Sequence, residues 1–298
     1  MARLALCALA GVLALSICFA PASAYTHPSE VTKLFEFRDK YINRSSYWQD
    51  AMATWTCPTN SSNSVGSDCD PCGEGWWGNW DHMSCRSITR LFRDDTVPGD
   101  GYITNIHFSL TGVNGSPPDV SVFNYTKEWD FKVCNLVGTL PIETALKLPH
   151  LEEWDFSRNH MYGTIPEGSG DIPRLVRFKM QGNHLNGSLP DSWKNLSKLE
   201  WIRIFNNELT GTIPASYLDI NSRLTQVSLG GNNFEGNLYP FRDVLVQNVN
   251  LTFLPKMCGM IPEGLLWGYG YDVGGSENLG LPCEDELDGW PEPDLLSL

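Results

Sequence analysis

The side chains able to do chemistry are numerous in this sequence, but their spacing assembles no catalytic set. The six histidines, His27, His82, His107, His150, His160 and His184, include no i,i+4 pair that would turn two imidazoles to one helical face for a metal. No nucleophile-elbow serine and no phosphate-cradling loop ending in Gly-Lys-Ser/Thr occurs. Acid pairs such as Glu128/Asp130 and Glu152/Glu153 have the chemistry of a glycosidase, but with 35 acidic residues in the chain such proximity arises by chance, and they are read as surface groups. Cys69-Asp-Pro-Cys72 has the spacing of a thiol–disulfide couple, and with Cys57 and Cys85 it could hold zinc. The strand–helix context of a redox motif is missing, and an oxidising compartment favours disulfides over both. The chain is therefore expected to have no catalytic residue, no metal and no cofactor.

What organises these side chains is a repeat with a period near 24. A Gly-x-[Leu/Ile]-Pro step recurs at Gly138–Pro141, Gly163–Pro166, Gly187–Pro190 and Gly211–Pro214, with degenerate copies at Gly115, Gly236 and Gly259. Four residues before each glycine stands Thr111, Cys134, Asn159, Asn183, Asn207 or Asn232. Three and five residues earlier come apolar pairs: Ile106/Phe108, Trp129/Phe131, Trp154/Phe156, Phe178/Met180, Ile202/Ile204 and Val227/Leu229. Alternation of this kind predicts a short strand with one buried face. The following Asn is expected to turn inward, where its amide can satisfy backbone groups of the neighbouring coil.

In these motifs the chain resembles the leucine-rich repeat family in its plant-type form. Leu199-Glu-Trp-Ile-Arg-Ile-Phe-Asn-Asn207-Glu-Leu-Thr-Gly-Thr-Ile-Pro214 fits the repeat nearly position for position, and the likeness covers about residues 102–262. It implies an α/β solenoid, a right-handed superhelix with a parallel β-sheet on the concave face and disulfide-bonded caps at both ends. It also implies that Cys134, in the Asn position, is a buried unbridged thiol. Residues 25–101, with a helical segment Glu30 to Tyr41 and the cluster Cys57, Cys69, Cys72 and Cys85, resemble the family's N-terminal cap. Four exported cysteines there mean two disulfides, with three connectivities open. The period is lost beyond Pro262, and Cys258 and Cys283 are expected to bridge and close a C-terminal cap over 263–283, ahead of an acidic tail at 284–298.

Residues 1–24 read as a secretory signal peptide: Arg3, an apolar run from Leu4 to Phe19, and Ala22-Ser23-Ala24 before Tyr25. No other stretch is long and apolar enough to span a bilayer. Asn-x-Ser/Thr sequons at Asn43, Asn60, Asn124, Asn186, Asn195 and Asn250 fit a secreted or cell-surface glycoprotein, while Asn114 is followed closely by Pro117 and is left out. A net charge of −14 over 298 residues, with no basic block, excludes nucleic acid and anionic membrane as partners of the whole surface.

The pleat sends the residues between the apolar strand positions to the solvent side of the sheet. In successive coils these include Glu128 and Asp130, then Glu153, Asp155 and Arg158, then Arg177 and Lys179, then Trp201, Arg203 and Phe205. Acids fill two adjacent coils, and bases with two aromatics fill the next two, a pattern suited to holding a protein or peptide. The expected function is extracellular recognition of such a ligand through the concave face, in the manner of the polygalacturonase-inhibitor-like proteins and receptor ectodomains that the sequence resembles. A structural glycoprotein of the cell surface or matrix is the alternative. The sequence leaves the oligomeric state open.

Overall fold

A computed structural model describes residues 28–44, 46, 49, 83–84, 103–109, 113–266 and 271–283. The expectations for residues 1–24, for Cys57, Cys69, Cys72 and Cys85, for Asn60 and for the acidic tail lie outside these residues.

Short strands alternate along the described chain. They are β1 (Met83–Ser84), β2 (Asn105–His107), β3 (Glu128–Asp130), β4 (Val137–Gly138), β5 (Glu153–Asp155), β6 (His160–Thr164) and β7 (Arg177–Lys179). Then come β8 (His184–Gly187), β9 (Trp201–Arg203), β10 (Glu208–Gly211), β11 (Gln226–Ser228), β12 (Asn233–Gly236), β13 (Asn248–Asn250) and β14 (Lys256–Met257). They sort into two sheets. The long sheet has the order β1-β2-β3-β5-β7-β9-β11-β13, and the second has β14-β12-β10-β8-β6-β4. β1 runs antiparallel to β2, and all later neighbours in the long sheet are parallel. One coil thus contributes one strand to each sheet and closes through a 3-10 or short helical segment such as Glu167–Asp171 or Asp191–Asn195. This is the repeat solenoid that the sequence predicts.

The middle residue of each long-sheet strand faces the core. Ile106, Trp129, Trp154, Phe178, Ile202, Val227 and Val249 are all buried, and the Trp129 and Trp154 indoles stack with centroids 5.6 Å apart. Beneath them runs the expected asparagine ladder. Asn183 Oδ1 accepts from the Met161 N–H at 2.9 Å while its Nδ2 donates to the Phe156 and Met180 carbonyls, and Asn159, Asn207 and Asn232 repeat the pattern. A buried carboxamide is tolerated because its hydrogen-bonding capacity is spent on loop backbone that sheet pairing leaves unpaired. In the same position Cys134 is buried, and its Sγ donates to the Phe108 carbonyl at 2.9 Å.

Just before each rung the backbone turns left-handed. Val133, Arg158, Gly182, Asn206, Gly231, Phe253 and Gly275 all have φ between 52° and 69°, or 75° at Gly275. Only glycine and asparagine adopt this region at little cost, so Val133, Arg158 and Phe253 are strained, and β-branched Val133 most of all. The same series runs on toward Cys283. Phe253–Leu254 and Gly275–Ser276 are two more turn-and-rung pairs. Asn250 bridges in parallel to Asp272, and Ser276 Oγ accepts from the Leu254 N–H and donates to the Leu251 carbonyl. The coil persists because its backbone pairing persists, although its Gly280-Leu281-Pro282 lacks the residue between Gly and Leu and falls off the period. Cys258 and Cys283 are bridged as expected, tying this last coil to the one before it.

At the other end, α1 (Pro28–Tyr41) starts two residues before the expected Glu30, with Pro28 at its first position, where the absent N–H has no partner to lose. Leu34, Phe37 and Tyr41 form its buried stripe, Phe37 lies 5.6 Å from the Phe123 ring, and the Tyr41 hydroxyl accepts from the Asp119 N–H. The helix thus covers apolar surface that the first coil would otherwise expose.

Candidate ligand-binding face

Strand register turns the sequence pattern into two straight rows on the outer face of the long sheet. Asn105, Glu128, Glu153, Arg177, Trp201, Gln226 and Asn248 form one; His107, Asp130, Asp155, Lys179, Arg203, Ser228 and Asn250 form the other. Eight of the ten residues expected to bind ligand therefore lie in the two rows. Phe205 lies half-buried two residues past β9. Arg158 does not join them: it occupies a left-handed turn beyond β5, exposed, with its backbone and Cγ against Gly182.

Acids stand on β3 and β5 and bases with Trp201 on β7 and β9, and ion pairs join the two halves. Parallel strands bring Glu153 and Asp155 within reach of bases on the next coil, whereas Glu128 and Asp130 are met from the preceding coil and from their own. Glu153 accepts from both Arg177 Nε and Lys179 Nζ, and Lys179 also lies 3.7 Å from Asp155. Lys132 pairs with Asp130 at 3.2 Å, Ser109 donates to Asp130 at 2.6 Å, and His107 meets Glu128 at 2.9 Å. Asp155 is only 3% exposed and Asp130 7%, so these carboxylates lie beneath their neighbours rather than at the surface. Burial, with Asp130 alongside, holds the Asp155 carboxyl above the usual range against the hydrogen bonds from Ser157 and the charge of Lys179. Burial also opposes the His107 imidazolium, but the Glu128 hydrogen bond and the nearby acids outweigh it and raise its pKa.

The network ends at Trp201, where three cations surround one indole. Arg203 lies 4.7 Å from the ring centroid, Lys179 5.3 Å and Arg177 5.4 Å, and the indole N–H donates to Thr225 Oγ1 at 3.1 Å. Such contacts hold positive charge against the indole face. Arg203 differs from the other two cations. Its Nη2 donates to Gln226 Oε1 at 2.7 Å, its Nε is buried without a hydrogen-bond partner, and among the described residues it forms no ion pair. Burial lowers its pKa from the ordinary guanidinium value, and Asp155 and Glu153 pull the other way.

Sequence reasoning left several participants off the expected site. His107, Lys132 and Gln226 were legible as outward positions, but their pairing is not. Thr225 lies outside the alternation and carries no sequence signal. Of the described sequons, Asn43, Asn124, Asn186 and Asn195 are exposed and lie off the long sheet, whereas Asn250 is half-buried on β13 with its Oδ1 accepting from Thr252. Among the described residues, no group of three or more His, Cys, Asp and Glu is arranged to hold a metal ion, and no helix is long and apolar enough to cross a membrane.

No protein-family profile matches the chain. No characterised protein matches it in sequence. Solved structures do resemble it. The PEPR1–AtPEP1 structure is 18% identical over 85% of this chain and 37% of that one, with a TM-score of 0.50. A plant ice-binding protein is 17% identical over 86% of this chain and 96% of its own, with a TM-score of 0.49. The ectodomain of the Arabidopsis thaliana receptor kinase GASSHO1/SCHENGEN3, solved with CASPARIAN STRIP INTEGRITY FACTOR 2, is 24% identical over 56% of this chain, with a TM-score of 0.47. This chain spans only 19% of that ectodomain's length. The likeness at a TM-score of 0.50 agrees with the coils, the ladder and the two parallel sheets: the chain folds as a leucine-rich repeat solenoid.

Proposed function

We propose that this chain is an extracellular recognition module holding a protein or peptide ligand against the outer face of the long sheet. The observation that carries the reading is the Trp201 cluster. A half-buried aromatic, ringed by three cations and fixed through Thr225, combines rigid apolar area with directed charge, as interface hot spots do. Arg203, which has no carboxylate partner among the described residues, suits an acidic group of the ligand. The ion-paired coils on the N-terminal side supply a preorganised polar surround, so little side-chain entropy is lost on binding. The exposed sequons also favour this face, since glycans on Asn43, Asn124, Asn186 and Asn195 would stand elsewhere. Export through the secretory pathway, with residues 1–24 as its signal and the cap, solenoid and tail in the expected order, is part of the proposal. The test is capture from extracellular material with the mature chain and a Trp201→Ala/Arg203→Glu variant of unchanged fold. A partner held by the first and lost by the second supports the reading; no partner above background favours the structural-glycoprotein alternative.

A further inference from the structure

The second sheet has its own outward rows. On β6 they present His160, Tyr162 and Thr164, on β8 His184 and Asn186, and on β10 Glu208 and Thr210, all exposed. Side chains two residues off in register still meet across one coil: the His160 and His184 rings lie 6.2 Å apart and nearly parallel. The strands pair with Tyr162 opposite His184 and Thr164 opposite Asn186, so Tyr162 is the diagonal neighbour of Asn186 one coil away, two residues off in register as His160 is from His184. Tyr162 is 50% exposed, a large apolar surface left open beside an asparagine that begins Asn186-Gly187-Ser188.

We propose that Asn186 carries an N-linked glycan whose first sugar packs on the Tyr162 ring. The bond formed joins Asn186 Nδ2 to the anomeric carbon of N-acetylglucosamine. The bond broken is that carbon's link to the diphosphate of a lipid-linked oligosaccharide, which leaves as lipid diphosphate while Nδ2 gives up a proton. A pyranose has an apolar C–H face, and a sugar rooted one coil away reaches the exposed ring without disturbing either strand. The glycan then covers the middle of the second sheet, where Thr164 and Glu208 stand opposite Asn186 on the neighbouring strands, and leaves the long sheet open. The inference rests on the secretory part of the proposed function.

The test uses the full chain from a glycosylating eukaryotic host, with glycopeptide mass spectrometry at Asn124, Asn186 and Asn195, and thermal melts of four forms. These are wild type, Tyr162→Ala, Ser188→Ala and the double variant; Ser188→Ala deletes the sequon but keeps Asn186. Occupied Asn186 is expected, with Ser188→Ala lowering the melting temperature by about 3 °C in the wild-type background and by less than about 1 °C once Tyr162 is gone. Occupied Asn186 with equal losses in both backgrounds overturns the packing. An unoccupied Asn186 beside an occupied Asn124 or Asn195 overturns the site while sparing the secretory reading. If all three sequons are bare, the secretory reading itself fails.

Discussion

Replacing Asn207 by alanine tests the ladder where its bonds are most evenly shared. Asn207 Oδ1 accepts from the Leu185 N–H at 3.0 Å, and Nδ2 donates to the Met180 and Ile204 carbonyls, each also at 3.0 Å. Both carbonyls keep a second carboxamide donor, from Asn183 and Asn232 respectively, so the group that loses its carboxamide partner outright is the Leu185 N–H. Three hydrogen bonds at about 1 kcal/mol each give a loss of about 3 kcal/mol, with the orphaned N–H pushing it upward. For a domain of this size that is roughly 6–12 °C in melting temperature. Equilibrium denaturation followed by the fluorescence of buried Trp193 reads it directly. Asn207→Cys should cost less, because a thiol in this position can still donate to a carbonyl, as Cys134 does to that of Phe108. A loss below about 1 kcal/mol for Asn207→Ala, or a thiol no better than a methyl, would refute the reasoning that the rungs hold the coils together.

Three further outcomes follow from the same geometry. Val133→Asn should stabilise the chain by about 0.5–1 kcal/mol in chemical denaturation, since its left-handed φ of 56° penalises a β-branched side chain and suits asparagine. Opening the Cys258–Cys283 bridge with a double serine variant should cost about 3.5 kcal/mol on the chain-entropy scale for a 25-residue separation, seen as a lower denaturant midpoint than wild type under non-reducing conditions. Asp155 has a folded-state pKa raised above its ordinary 3.8, so its contribution to stability is fully present below that value and is lost as pH rises through the folded pKa. Asp155→Asn, which can still accept from Ser157, should therefore gain on wild type as pH rises from about 4 to 7, and denaturation midpoints that track each other across that range would contradict the assignment.

The solenoid was legible because glycine, asparagine and alternating apolar residues recur at fixed offsets, and each of these is tied to a backbone requirement. The last coil was not, because Gly280 follows Gly259 by 21 residues and Ser276 stands where an asparagine would mark the rung. Its pairing is carried by backbone atoms that any residue supplies. On the candidate face, outward positions followed from the period-2 pleat, so Glu153, Arg177, Trp201 and Arg203 could be named in advance. Which acid meets which base depends on cross-strand register and on the reach of long side chains, and so the Glu153–Arg177–Lys179 pairing and the burial of Asp155 emerged only in three dimensions. The strain at Val133 was likewise hidden, since nothing in its residue type announces a positive φ.

The most direct test of the central claim sets the two sheets against each other. The mature chain, its Trp201→Ala/Arg203→Glu variant on the long sheet and a His160→Ala/Tyr162→Ala variant on the second sheet are immobilised and exposed to the same extracellular material. Retained partners are then quantified by mass spectrometry. A partner held by wild type and by the second-sheet variant, and reduced at least tenfold by the long-sheet variant, is the predicted result. Ten-fold corresponds to about 1.4 kcal/mol, modest for the loss of an interface hot spot. Retention by the long-sheet variant together with loss from the second-sheet variant would place recognition on the other face and contradict the account.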